Sequence, residues 1–194
     1  ANATVDDVLI ESNAQLTLTG GTLTIASGPA FIVQGTLRNN GRPITVSGVL
    51  QVDNGGKYQH NFTTTAGTIP TATWNTGAIC EVIGYTTFAG DVLGSNQTFS
   101  DFVWNNTAQT GASTPALVNN FTARNFTVTS TGSGVLNLSS TGGTATITGN
   151  YTQTTGSVVV NKTSGTQNLN VAGNFAVNGG AFSLGAGNVN ITYN

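Results

Sequence analysis

The chain has 194 residues and a formal net charge of −2, and only 6% of its residues are charged, against about 25% in an average globular protein. Five scattered cations cannot provide the clustered positive charge that nucleic acids and anionic membrane surfaces require, so the composition excludes both partners. No apolar run approaches the roughly 18 residues of a spanning helix, so no membrane insertion is expected. The 26 glycines, together with abundant Thr, Val, Ile and Phe, indicate an ordered all-β protein.

The start of the chain predicts an extracellular or cell-surface protein. It reads Ala1-Asn2-Ala3, and the sequence contains no Met, which is typical of a chain whose signal peptide was removed behind a small residue. A chain trimmed at its start is the alternative. Asp6, Asp7 and Glu11 follow as the only cluster of acids. We expect them to be a solvated cap of the first structural repeat, with a calcium site as the alternative.

The first half of the chain contains three similar short units at closely similar offsets, 14 and then 13: Gly21-Thr22-Leu23, Gly35-Thr36-Leu37 and Gly48-Val49-Leu50. Apolar and polar residues alternate after each unit, which is typical of half-buried strands. Two such units are expected to form one coil of about 27 residues. The Asn-Gly pairs at residues 40–41 and 54–55 also fit antiparallel hairpins in a sandwich, and that alternative stays open.

The regular pattern lapses between about residues 62 and 99, where we expect an insertion or coils with decorated turns. Cys80 is the only cysteine and stands in an apolar context, so we expect a small buried side chain, with an intermolecular disulfide as the alternative. His60 is the only histidine, and no acid lies nearer in sequence than Asp53. We expect His60 at the surface or in a turn, and its pairing with Cys80 in catalysis is the alternative.

The second half repeats a motif in which Asn or Asp precedes an aromatic residue, at successive offsets of 24, 25 and 24. Such a repeat predicts a single right-handed parallel β-helix, or β-solenoid, over residues 1–194, with coils of about 24 residues. The aromatic residues are expected to stack in one core column: Phe102, Phe126, Tyr151 and Phe175. The preceding residues are expected to form a ladder of side chains bonded along the axis: Asp101, Asn125, Asn150 and Asn174.

Asn-x-Ser/Thr sequences are frequent, and glycans on them would supply the solvation that charges do not. Six of these asparagines are candidate glycosylation sites: Asn61, Asn96, Asn105, Asn120, Asn137 and Asn161.

Two parts of the chain contain recognisable combinations of residues. The first is Tyr-Gln-His-Asn at residues 58–61, followed by residues 68–75, Gly77 and Cys80, and the second is the pair of coils with Gly149-Asn150-Tyr151-Thr152-Gln153 and Gly173-Asn174-Phe175. The first part resembles a segment of large secreted repeat proteins of Bacteroidota, and the second resembles the coils that follow that segment there. The resemblance covers about residues 20–194. It implies a parallel β-helix exported to the cell surface or medium, but no catalytic residues. Such proteins often end in a sorting domain. This chain ends at Asn194 without one, so we expect a processed or stand-alone subunit.

The distribution of acids argues against catalysis. Polysaccharide hydrolases need two carboxyl groups across the scissile bond, but no acid follows Asp101, so the most regular repeats have none. We predict a structural protein without cofactors that self-associates into a filament or surface layer through head-to-tail coil or terminal-strand contacts. The alternative is a monomeric adhesin stalk or glycan-binding module. An ice-binding surface of Thr-x-Thr pairs and a polysaccharide-active enzyme are less favoured.

Overall fold

A computed structural model describes residues 1–193. Within them, 23 β-strands pair in parallel and stack into a β-solenoid of about nine coils, with about 22 residues in each coil. The predicted all-β solenoid is therefore confirmed. The antiparallel sandwich is wrong, because each strand pairs in parallel with the strands one coil below and above. Residues 1–193 contain no helix of a length and apolarity that could cross a membrane.

The first three coils are triangular, because each contains three short strands separated by corners. The first face is β1 (Ala3–Val5), β4 (Leu23–Ile25) and β7 (Ile44–Val46). The second face is β2 (Val8–Ile10), β5 (Phe31–Val33) and β8 (Leu50–Val52), continued by β10 (Thr73–Trp74). The third face is β3 (Gln15–Leu18), β6 (Thr36–Asn39), β9 (Lys57–His60) and β11 (Ile79–Val82).

This arrangement corrects the predicted coil length of the first half. Leu23, Leu37 and Leu50 lie in three different sheets, so the short offsets between them connect different faces of the solenoid. Leu37 pairs with Leu16 in the coil below and with Tyr58 in the coil above. A coil here therefore has about 21 residues and three strands, where the sequence predicted about 27 residues and two units.

The upper coils keep three faces but widen the sheets. The first face is β12 (Asp91–Val92), β14 (Ala116–Leu117), β16 (Val135–Asn137), β19 (Ser157–Asn161) and β22 (Ala181–Gly185). The second and third faces are joined where one strand bends across both, in β13 (Thr98–Asn105) and β15 (Phe121–Ser130). Above β15 they separate again, into β17 (Gly143–Ile147), β20 (Thr166–Val171) and β23 (Asn188–Tyr193) on the second face and β18 (Tyr151–Gln153) and β21 (Phe175–Val177) on the third.

On the third face, the number of residues between paired positions of successive coils stays constant through the middle of the chain. Ile79 pairs with Lys57 in the coil below and with Asp101 in the coil above, so the ladder continues across residues 62–99. On the other two faces, the part of this segment before β13 contains only the two-residue strands β10 and β12 and an isolated bridge between Thr68 and Leu93. The loops that connect these short strands are therefore longer than the strands themselves.

The core is a set of columns that run along the solenoid axis, because inward side chains recur at the same position in successive coils. The largest fully buried side chains are aromatic, and each contributes about 1.5–3 kcal/mol relative to exposure. They include Trp104, Tyr58, Tyr85, Tyr151 and five phenylalanines. Since one coil cannot bury its own inner face, each coil is stabilised by the coils above and below it.

Candidate functional site

The four predicted aromatic residues lie in one column on the third face. Phe102 pairs with Phe126, Phe126 with Tyr151 and Tyr151 with Phe175, and the ring centroids are 5.6, 5.6 and 4.8 Å apart. The first three side chains are buried, and Phe175 is half-buried near the upper end. Below Phe102 the column continues through Cys80. The column therefore packs the core of the upper coils.

The predicted ladder lies at the corner between the second and third faces. Its lowest contact joins two side chains as expected, but its upper contacts join a side chain to a backbone N–H. Asn125 Nδ2 donates to Asp101 Oδ1 at 2.7 Å, which is the predicted contact between side chains. Further up, the backbone N–H of Asn150 donates to Asn125 Oδ1 at 3.0 Å, and that of Asn174 donates to Asn150 Oδ1 at 2.9 Å. The side chains of Asn125 and Asn150 therefore each cap the backbone of the next coil.

The glycine before each of the two upper asparagines is required by the same corner. A Cβ on Gly173 would lie 2.5 Å from the Gly149 carbonyl oxygen and 2.6 Å from Asn150 Oδ1. A Cβ on Gly149 would lie 2.7 Å from Asn125 Oδ1. The Gly-Asn-aromatic motif thus combines close backbone approach, a cap and a core side chain in three consecutive residues.

His60 is buried inside the solenoid, which corrects the expected surface or turn position. Its Nε2 lies 2.9 Å from the Ala66 carbonyl oxygen and 3.1 Å from the Tyr85 hydroxyl, and its Nδ1 lies 3.2 Å from the Tyr58 hydroxyl. Asn39 Nδ2 in turn donates to the Tyr58 hydroxyl. Burial lowers the pKa of His60 to about 4, although the bond to Ala66 raises it in part. The ring is therefore neutral near pH 7.

Cys80 lies in the core between Tyr58 and Phe102 and is fully buried. Burial raises the pKa of its thiol well above the ordinary value, and the neighbouring Glu81 raises it further. A buried thiol without thiolate character is a poor nucleophile and cannot reach a second copy of the folded chain. Neither an intermolecular disulfide nor catalysis with His60 fits this position.

Two carboxylates that point away from the core are held mainly by amide side chains, and sequence reasoning missed both. Glu81 is buried beneath its neighbours, and burial acts to raise its pKa, but hydrogen bonds from Gln59, Asn105 and Lys57 together lower it. The lysine contact is an ion pair of 3.1 Å. All three partners lie one coil away from Glu81 in the sequence, so the coil period could have identified them.

Asp53 is the centre of the second amide-held carboxylate. It accepts hydrogen bonds from Gln51 at 2.7 Å, Asn75 at 2.8 Å and Gln34 at 3.3 Å, and these bonds lower its pKa. An open depression of about 600 Å³ lies beside it, with Ser12 on its wall. All of the carboxylate's close partners are neutral amides, which hold it as an anion without a second acid. The pair of carboxyl groups that glycoside hydrolysis needs is not found here.

The three acids near the start of the described chain lie on the surface of the solenoid. Asp6, Asp7 and Glu11 are exposed in the first coil. Among residues 1–193, no three His, Cys, Asp or Glu side chains are grouped so that they could hold a metal ion. The calcium alternative for the three acids therefore receives no support from their geometry.

The six candidate glycosylation asparagines divide by exposure. Asn137 and Asn161 are buried, and their side-chain amides donate to backbone carbonyls inside the coils, so the folded chain cannot carry a glycan on them. Asn61 and Asn105 are half-buried and donate to side chains of neighbouring coils. Asn96 and Asn120 are exposed and could accept a glycan.

Both ends of the solenoid expose side chains that occupy core positions. Leu16 is 36% exposed although its partner Leu37 is buried, because no coil of the described chain lies below it. At the upper end, Ile191 is 45% and Tyr193 58% exposed, although they pair with buried residues of β20. Leu184 and Val177 are exposed in the same way. The coil period could have identified these residues, since Val177 lies one coil step above its inward-facing partner Gln153.

An open groove follows the corner ladder on the outside of the solenoid. It has a volume of about 350 Å³, and its lining includes the ladder residues Asp101, Asn125 and Asn150. Thr127 and Thr152, which pair with each other in successive coils, line it as well. The groove is the concave surface that the predicted ladder residues line.

Comparisons of the chain with protein-family models, with curated proteins and with solved structures found no match. The surfaces of the described chain that bear on its function are the two ends of the solenoid and the corner groove.

Proposed function

We propose that the chain is an extracellular structural subunit that assembles head to tail into a filament or surface layer. The observation that carries the proposal is the exposure of core-facing side chains at both ends of the solenoid. A coil that stacked on either end would bury these side chains as the inner coils bury theirs. The partner that we propose for each end is a second copy of this chain.

The position of the exposed apolar residues supports stacking at the ends. Within residues 1–193, eight large apolar side chains are exposed, and six of them lie in the first coil or the last two: Leu9, Leu16, Val177, Leu184, Ile191 and Tyr193. Five of these six occupy inward-facing positions, and Leu9 faces outward. Burying a large apolar side chain contributes about 1.5–3 kcal/mol when burial is complete.

The charge distribution favours head-to-tail contacts over contacts between like ends. Asp6, Asp7 and Glu11 lie in the first coil, no cationic side chain precedes Arg38, and no charged side chain follows Lys162. Two N-terminal ends in contact would bring two copies of this acidic cluster together without a cationic side chain, whereas a head-to-tail contact sets an acidic end against a neutral one. A heterologous contact of this kind gives an open filament when its rotation does not close.

The unpaired edges of the end strands also favour a head-to-tail contact between two copies. The outer edges of β1, β2 and β3 and those of β21, β22 and β23 have no partner strand within residues 1–193. Their free N–H and C=O groups could continue the parallel ladders from one copy to the next.

The test is electron microscopy together with sedimentation velocity over a concentration series of the chain at neutral pH. We expect rods that lengthen with concentration. Nine coils at a strand spacing of about 4.8 Å give an axial repeat of roughly 43 Å. The substitutions Leu184→Asp and Ile191→Asp together should weaken association at least about tenfold, because they place charges in the contact.

The matched control carries Val49→Asp and Leu93→Asp, which change equally exposed apolar residues on inner coils. Assembly of this control should equal that of the unchanged chain. Dispersed rods of one subunit at every concentration would contradict the proposal and favour a monomeric adhesin stalk. Equal loss in both variants would indicate lateral association instead of stacking.

A further inference from the structure

The groove along the corner ladder contains polar groups that the fold leaves unused. Within residues 1–193, the hydroxyls of Thr127 and Thr152 and the Nδ2 group of Asn150 are not hydrogen-bonded to any other group of the protein. All three lie on the walls of one concavity of about 350 Å³. Small-ligand sites are concave surfaces in which a few polar groups fix the orientation of the ligand. The volume of this groove lies at the lower end of their range.

The unused groups are held in fixed directions. Asn150 Oδ1 is bonded to the backbone N–H of Asn174, which fixes the plane of the amide and hence the direction of Nδ2. Thr127 and Thr152 lie in paired strands, and their branched side chains have restricted rotation about χ1. A ligand would therefore meet an arrangement that needs little ordering on binding.

The charge of the groove selects a neutral ligand. Asp101 is its only charged wall residue, and Arg124 donates to both carboxylate oxygens at 2.9 Å, while Asn125 donates at 2.7 Å. The net charge at the groove is therefore close to zero. Anionic polymers would find no free cation on these walls, and a protein partner would find no aromatic anchor there.

The spacing of the groups fits an extended chain. Thr127 and Thr152 stand in adjacent coils, as do Asn125 and Asn150, and adjacent strands lie about 4.8 Å apart. Hydroxyl and amide groups therefore repeat along the axis at a step comparable to one sugar ring of an extended polysaccharide. Val103 pairs with Thr127 and also lines the groove, and its apolar side chain suits the C–H face of a sugar ring.

We propose that this groove binds an uncharged glycan chain aligned with the solenoid axis, through Thr127, Thr152 and Asn150. The contact uses the lateral surface, so it leaves both end coils free and does not depend on assembly. The glycan is neutral because the groove neutralises its only carboxylate internally.

The test is co-sedimentation of the full chain with cellulose, chitin and an insoluble β-1,3-glucan, with alginate gel as the anionic comparison. We expect at least one neutral polysaccharide to retain the chain. Replacing both threonines, Thr127→Val and Thr152→Val, keeps their shape and removes the two hydroxyls that would bond the glycan. Retention should fall at least about tenfold.

The matched control is Thr24→Val with Thr45→Val, two threonines that also pair in adjacent coils but lie on the first face. It should bind as the unchanged chain does, and circular dichroism should show equal melting for all three proteins. Failure of every neutral polysaccharide, preference for alginate, or equal loss in the control would overturn the proposal. The same assay with Ile191→Asp, a substitution at the proposed assembly surface, shows whether loss of glycan binding is independent of assembly.

Discussion

The lower and upper coils have the same three faces but build them differently. In the lower coils, up to His60, each face is a separate sheet of strands with three or four residues, and one coil step on the third face leads from Leu16 to Leu37. In the upper coils, β13 and β15 bend across two faces, and the corresponding step is longer, as from Phe102 to Phe126. The additional residues in each upper coil thus widen the sheet without changing the order of the faces.

The contents of the two cores differ as well. The upper column stacks aromatic rings, from Phe102 to Phe175, whereas the lower core contains a polar cluster around His60 and Tyr58. Aromatic packing is independent of pH, while a buried imidazole resists protonation. We therefore expect the upper coils to be stabilised by packing and the lower coils to depend on pH.

The largest expected effect concerns packing in the upper column. Phe126 is buried, with its ring 5.6 Å from those of both Phe102 and Tyr151. Phe126→Ala should lower the free energy of unfolding by about 3–5 kcal/mol, measured by urea denaturation. Phe175→Ala, in the same column but half-buried, should cost clearly less. Equal losses would mean that the column does not act as the upper core.

The second effect concerns pH in the lower coils. The pKa of His60 is about 4 in the folded chain and 6.5 as a reference, so the unfolded chain binds more protons between these values. Stability should therefore fall as the pH decreases from 6.5 towards 4, by about 3 kcal/mol in total. Urea denaturation at several pH values measures this loss.

His60→Gln supplies the matched variant for the pH experiment. A glutamine can replace the hydrogen bonds of the ring in part, but it does not titrate, so the pH dependence between the two pKa values of His60 should largely disappear. For this variant, each free energy of unfolding at lower pH is compared with the value of the same variant at neutral pH. A slope unchanged by the substitution would assign the acid sensitivity to other groups.

The smallest effect concerns the corner ladder of the upper coils. Asn150→Ala removes the acceptor for the Asn174 backbone N–H, a bond of 2.9 Å near the surface. We expect a loss of about 1 kcal/mol in the free energy of unfolding. Asn96→Ala changes an exposed asparagine and is the control, with an expected change near zero. Thermal unfolding can compare both variants, and indistinguishable values would show that the cap contributes nothing.

The sequence predicts the upper coils well, because their strands align at a nearly constant step. Asn125, Asn150 and Asn174 occupy equivalent corners, so the repeat of the motif can be seen without a structure. In the lower coils, similar Gly-x-Leu units occupy different faces, and the local resemblance of Leu23 to Leu37 hides the true coil step. Similar short strands on every face of a triangular coil give a sequence repeat that is shorter than the coil.

Individual contacts were harder to predict than the repeat. An asparagine side chain can bond either another amide or a backbone N–H. The oxygen of Asn125 accepts from the backbone N–H of Asn150 because of where the next coil lies, and the sequence does not give that position. The prediction for His60 was wrong because its partners Ala66 and Tyr85 lie in a loop and in the following coil. The exposure of Ile191 depends on the absence of a neighbouring coil within the described chain, which no local pattern encodes.

The parallel pairing of the strands has a consequence for the direction of any filament. All paired strands of residues 1–193 run the same way around the axis, so the lower and upper sides of a coil are different surfaces. A neighbouring coil can continue them as parallel ladders only if its own strands run in the same sense. A filament built by extending these ladders would therefore be polar, with every copy pointing the same way along its axis.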